Sequence, residues 1–107
     1  MSMSPTARSL AYLKGKQFLA GVVERQTGPI KRDLFGMFDL LAIHPKWGTW
    51  AIQVTTGSNH TDRRRKVAEH PDLGTVLACG WQVYVWSWRK SAAGKWELRE
   101  EQITSRS

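Results

Sequence analysis

Asp39, Gln53 and Thr55 are residues whose type and spacing could support chemistry in this chain. Asp39 stands inside the apolar run "FGMFDLLAI"; after the gap "HPKWG", Gln53 and Thr55 stand inside a second one, "TWAIQVTTG". Charged and amide side chains are rarely buried without a partner. A carboxylate beside an amide oxygen, at a point open to water, is one way of holding Mg²⁺. Such an ion activates water and stabilises the transition state of phosphodiester cleavage. A plainer alternative has Asp39 capping a turn and Gln53 bonded to nearby backbone. Spacing alone leaves both open.

The elements that must position these residues follow from periodicity and turn chemistry. The alternation predicts a strand from about Gly36 to Ile43, with Met37, Asp39, Leu41 and Ile43 on one side and Phe38, Leu40 and Ala42 on the other. Both sides are mostly apolar, as in a sheet with helices on its two faces. "HPKWG" supplies a hairpin connection. A strand over about Thr49 to Thr56 then sends Trp50, Ile52 and Val54 to one layer and Ala51, Gln53 and Thr55 to the other. Upstream, Pro5 with Ser4 as N-cap opens a helix expected to run to about Ala20, with Gly21 as its stop. "VVER" (22–25) reads as a strand and "QTGPI" (26–30) as a turn.

Downstream, "GSNHT" has helix-start chemistry, with Asn59 or Thr61 as the N-cap. The helix carrying "DRRRKVAEH" is broken or kinked at Pro71 and resumes to Gly80. "WQVYVWSW" (81–88) is β-branched and aromatic, hence a strand, and "WELREEQI" (96–103) alternates as an edge strand. The order of helix, three strands, helix, two strands predicts an α/β fold.

With 107 residues and 41% hydrophobic content, the chain fits one small domain spanning 1–107. No apolar stretch approaches the ~20 residues that span a bilayer. "MSMSPTARS" lacks the layout of a secretion signal, and the single Cys79 excludes an internal disulfide or a cysteine-based zinc cluster. A cytoplasmic protein with no membrane association is the expectation. The net charge is +7 with a pI near 10.1, and residues 1–90 carry all of the excess. A basic face attracts polyanions, of which nucleic acid is the most abundant inside cells.

"DRRRKV" can be a solvated face or a phosphate-binding surface. Its place at a helix start, just after "QVTTGSN", points to phosphate contact by Asn59, Arg63, Arg64 and Lys66, with Lys31 and Arg32 contributing from the other side. His44, His60 and His70 have no metal-ligand spacing. Tyr84, Trp86 and Trp88 share one strand face, which suits a base-stacking platform, a core row or a subunit interface. Cys79, before Gly80 at a helix end, reads as a buried small hydrophobe.

"DLFGMFDLLAIHPKWGTWAIQVTTG" resembles the core of the PD-(D/E)XK nuclease superfamily, whose motif runs Asp, a gap, Glu or Gln, any residue, then Lys. "AYLKGKQFLAGVVE" resembles the helix-then-strand that opens the Holliday-junction-resolvase and VRR-NUC branches. The order of elements is similar over almost the whole chain. The resemblance implies a restriction-endonuclease-like αβββαβ core, with Asp39 at the metal-binding position, Gln53 at the second ligand position and Thr55 at the lysine position. It also implies Mg²⁺ or Mn²⁺ as cofactor.

Two residues depart from the motif. Gln53 carries one negative charge fewer than glutamate, and Thr55 replaces the lysine that orients or activates water. A hydroxyl with no adjacent base cannot substitute for an ammonium. The opening helix lacks the glutamate that many resolvases use, although Glu24 follows in the next strand. Lys66 and Arg63, one helical turn apart, are a second source of the cation.

The resulting expectation is a small divalent-metal-dependent, structure-selective DNA endonuclease, resolvase-like and homodimeric, with Asp39, Gln53, Thr55 and Lys66 in the catalytic set. The layout "RDLFG…D…QVT" resembles proteins of phages and mobile elements. The alternatives are a nuclease fold kept as a DNA-binding or accessory protein, and a purely structural role.

Overall fold

The computed structural model describes residues 3–106. Helix α1 (Pro5–Gly15) starts where Ser4 Oγ accepts the Ala7 amide at 3.1 Å, with Pro5 in the first turn. It ends earlier than the expected Ala20. The Phe18 amide bonds the Leu13 carbonyl and the Gln17 amide that of Lys14, both at 3.0 Å, while Gln17 takes a left-handed φ of 66°. This is a Schellman stop, and it brings Phe18 and Leu13 into the same buried cluster. Gly21 is therefore no helix stop. It lies within strand β1 (Leu19–Val22).

The expected strand "VVER" is divided. Val23 makes the last bond to the sheet, its amide donating to the Asp39 carbonyl at 2.8 Å. Glu24 then leads into a separate two-stranded ribbon, β2 (Arg25–Thr27) and β3 (Ile30–Arg32). The main sheet resumes with β4 (Leu40–His44) and β5 (Gly48–Thr56), joined by the "HPKWG" hairpin.

A 3₁₀ turn over Gly57–Asn59 leads into α2 (His60–Ala68). Helix α3 (Leu73–Ala78) follows beyond Pro71. Strands β6 (Gln82–Lys90) and β7 (Trp96–Ile103) complete a mixed five-stranded sheet of order β1-β4-β5-β6-β7. Only β5 and β6 are parallel, and the helices α2 and α3 lie in the connection between them. The chain is thus an α/β fold with helices on both faces of a mixed sheet. Among the described residues, no helix is long and apolar enough to cross a membrane.

Alternation sorts the core into two layers. Under α1 lie Leu40, Ala42, Ile52, Val54, Tyr84, Trp86 and Trp88 with Leu13 and Phe18. On the opposite face Ala51, Val83 and Val85 pack with Met37, Phe38, Val67, Leu73 and Val76. Phe38 shares the Met37 layer, against the expected alternation, because residues 33–38 form a loop in place of a strand. The Tyr84–Trp86–Trp88 row is core: Tyr12 of α1 stands edge-on to Trp86 at 5.5 Å and to Trp88 at 6.0 Å. It can serve as neither a base platform nor a surface for a second copy. Cys79 is exposed at the end of α3, against the buried position expected for it.

Candidate metal centre

The loop "DLFGMFD" gathers the site. Leu34 and Phe38 exchange backbone bonds at 2.8 and 3.1 Å, and Phe35 and Gly36 take left-handed φ values of 56° and 73°. The left-handed backbone favours glycine at position 36, and a Cβ there would stand close to His70 Nε2, at 3.1 Å. This tight reversal folds Asp33 back toward Asp39. The Val23–Asp39 bond holds Glu24 beside them. Carboxylate oxygens of Glu24, Asp33 and Asp39 lie within 4.8 Å of one another.

Asp39 is only 6% exposed, and its Oδ2 accepts the Val54 amide at 2.7 Å and Gln53 Nε2 at 2.6 Å. Gln53 Oε1 in turn accepts from Lys66 Nζ at 3.3 Å, which also donates to Asp33 Oδ2 at 2.8 Å. Only this amide orientation satisfies both neighbours, since a carboxylate needs a donor and an ammonium needs an acceptor. Asp39, Gln53, Lys66 and Asp33 thus form a continuous polar chain at the floor of a cleft of about 960 Å³.

Burial, and then the nearby carboxylates of Asp33 and Glu24, push Asp39 up to about 7 despite the Val54 N–H. Asp33 moves the other way. Burial works to raise it, but the hydrogen bond and charge of Lys66, with Arg63 beyond, hold it below the ordinary carboxylate range. Neighbouring carboxylates resist joint ionisation, so near neutral pH Asp33 carries the charge while Asp39 is divided between its two forms.

Four of the residues singled out from sequence converge here. Asp39, Gln53, Thr55 and Lys66 all line the one cleft, with Thr55 8% exposed. Lys31, Arg32 and Arg63 supply cations to its walls, and the first turn of α1 borders it. Two others lie elsewhere. Arg64 pairs with Glu101 on β7, and Asn59 Nδ2 donates to Thr56 Oγ1 at 3.1 Å.

Sequence reasoning passed over Asp33. The available signal was "RDLFG", an acid three residues before a glycine in a run too short to continue as a strand. Glu24, whose side of the sheet was open, faces the site. The three hard oxygen donors, two from the ends of the 33–39 loop and Glu24 from the start of the ribbon, converge in the cleft. Their chemistry suits Mg²⁺ or Mn²⁺ better than a soft metal. Gln53, expected at the second ligand position, spans Asp39 and Lys66 beside these carboxylates, its Nε2 donating to Asp39 and its Oε1 accepting from Lys66.

Helix α2 is set by a second polar cluster. His60, 1% exposed, meets Ser87 Oγ through Nδ1 at 2.6 Å and Glu101 Oε1 through Nε2 at 2.9 Å. Burial favours a neutral Glu101, yet Arg64 and His60 hold it below its ordinary range. Serine, histidine and carboxylate occur together here, with both Ser87 and His60 buried. The cluster pins the start of α2 to β6 and β7, which fixes where Lys66 arrives.

No protein-family model matches the chain, and neither the curated proteins nor the solved structures contain a match to it.

Proposed function

We propose that the protein is a small divalent-metal-dependent DNA endonuclease of the PD-(D/E)XK kind, selective for DNA structure and acting on branched substrates. One observation carries this reading: Glu24, Asp33 and Asp39 converge in a cleft where Lys66 bridges Gln53 and Asp33. The ammonium missing from position 55 is supplied from α2.

Glu24, Asp33 and Asp39 would hold the cation. When bound, Mg²⁺ lowers the pKa of a coordinated water and neutralises charge on the scissile phosphate. Lys66 stands within reach of the same point and can orient the attacking water or steady the phosphate. Gln53 keeps Asp39 aligned. Lys31, Arg32 and Arg63 hold flanking phosphates, which positions the strand without reading its bases. Sequence specificity should accordingly be low. A homodimer would set two clefts across two strands.

A second reading, a DNA-binding or accessory protein on a nuclease fold, draws on Thr55, which lines the cleft with a hydroxyl where the motif has lysine. Incubation with branched, nicked and linear DNA plus Mg²⁺ or Mn²⁺ separates the two. The endonuclease cuts branched DNA, and Asp39→Ala abolishes the cut. Salt-sensitive binding indifferent to Mg²⁺, with no cleavage, would establish the accessory role instead.

A further inference from the structure

The β2–β3 ribbon stands apart from the sheet and its cores. Its six strand residues are all exposed and pair only with each other, as Arg25–Arg32, Gln26–Lys31 and Thr27–Ile30. Gly28, at a φ of 58°, makes the first corner of a two-residue turn, which Pro29 completes. An isolated two-stranded ribbon is marginal in water. Placing like charges directly opposite each other weakens it further. Yet Arg25 and Arg32 are such a pair, and neither they nor Lys31 has an acidic partner among the described residues. Local stability does not account for this arrangement. An anionic partner does, because it would relieve the repulsion.

The distribution along the ribbon indicates which polyanion fits. Arg25, Thr27, Ile30 and Arg32 surround one shallow concavity of about 340 Å³, with the two arginines at the root and Ile30 next to the turn. Ile30 is 53% exposed, and Pro29 precedes it. Cations at the base with an aliphatic wedge at the tip match what a nucleic acid offers where its stacking is interrupted. Phosphates lie to the sides and base faces lie between them. A two-stranded ribbon also has the dimensions to enter a DNA groove.

The root of the ribbon is the site itself. Glu24 immediately precedes β2 and Asp33 immediately follows β3, so whatever seats the ribbon also sets two of the three clustered carboxylates. We infer that the β2–β3 ribbon is a DNA-docking arm that recognises branched DNA. Arg25 and Arg32 bind phosphates, and the Pro29–Ile30 tip packs against bases exposed at the branch. This rests on the nuclease reading and names the element that would engage its branched substrate.

Binding in EDTA, with no cleavage, tests the arm apart from the chemistry. The full chain is titrated against a four-way junction and a linear duplex over a range of salt. Thermal melting should show both variants as stable as the parent, since the ribbon lies outside both cores. The double variant Arg25→Gln/Arg32→Gln should lower the log–log salt slope by about 1.8 on both DNAs. Ile30→Ser should weaken junction binding about tenfold, the scale of one buried aliphatic side chain, while duplex affinity stays within about twofold. An unchanged slope in the double variant, or an unchanged junction preference in Ile30→Ser, overturns the arm. If the parent cuts branched DNA and the ribbon variants bind as it does, the arm fails while the nuclease reading stands. A parent that binds no DNA overturns both.

Discussion

Asp39 sits at the balance point of the cleft: the fold puts it where losing its proton is unfavourable, and a cation would reverse that. Its carboxyl titrates near 3.8 when exposed and near 7 in the fold. Between those values the native state keeps a proton that the unfolded chain has released, so stability falls as pH rises. Asp33 and Glu101, held low by cations, contribute in the opposite sense but only at more acid pH, where falling pH strips their contribution. Melts without divalent cation from pH 5 to 8 should therefore show Tm decreasing, and Asp39→Asn should flatten the profile. A Tm that climbs across this window would contradict the assignment.

Lys66 gives the second test at this scale. Lys66→Ala should lower cleavage by about 10² to 10⁴, the usual worth of a positioned proton-transfer or charge-assisting group. Adding Thr55→Lys should restore part of the loss, since Thr55 lines the same cleft. Failure of the rescue in a folded double variant would mean that position 55 does not reach the reacting atoms. Asp39 was legible as a lone carboxylate in an apolar run, and Gln53 and Thr55 because residues two apart on a strand share a face. Lys66 was legible as part of the basic run after β5, although it stands in the last turn of α2, away from the helix start expected for it. Asp33 and Glu24 were not. A left-handed turn at Phe35–Gly36 and the departure of the chain at Val23 bring them in, and neither has a periodicity to betray it.

At the scale of elements, the clearest reading came where composition and alternation agree, as in β6 and β7, whose aromatic and alternating runs are found as strands. The stretch from Gly15 to Arg32 was harder. Helical spacing continues past Gly15, yet the Schellman stop at Gln17 turns the chain into β1 because Leu19–Val22 pair with Leu40–Ile43. Tertiary pairing overrides propensity there. The ribbon escapes periodicity, with 26–30 reading as a turn, because its strands are three residues each and polar except for Ile30. Gln17 marks a correctable cost: a left-handed backbone costs a non-glycine residue roughly 1–2 kcal/mol. After the extra unfolded-state entropy of glycine, Gln17→Gly should stabilise the protein by about 0.5–1 kcal/mol in urea unfolding. A loss of stability would mean that the Gln17 side chain contributes contacts that outweigh the strain.

Across the whole molecule, charge and architecture divide the work. The helix α1 face is closed by the aromatic core, and the basic cleft opens where the ends of β4 and β5 meet α2. Arg63 and Arg64 are neighbours in sequence but not in role, since Arg63 lines the cleft and Arg64 is tied to Glu101. Arg63→Gln should reduce the salt slope of DNA binding by about 0.9, and Arg64→Gln should leave it unchanged. Equal effects would place the DNA path on another surface.

The most direct test of the account is whether the three carboxylates hold a divalent cation. Mn²⁺ titrated into the DNA-free protein at pH 8, followed calorimetrically, should bind at one site per chain. It should bind more weakly at pH 6, where Asp39 is mostly protonated, and Asp39→Asn should lose at least about tenfold in affinity. A parent protein that takes up no Mn²⁺ at millimolar concentration, or an Asp39→Asn variant that binds it equally well, would contradict the metal centre.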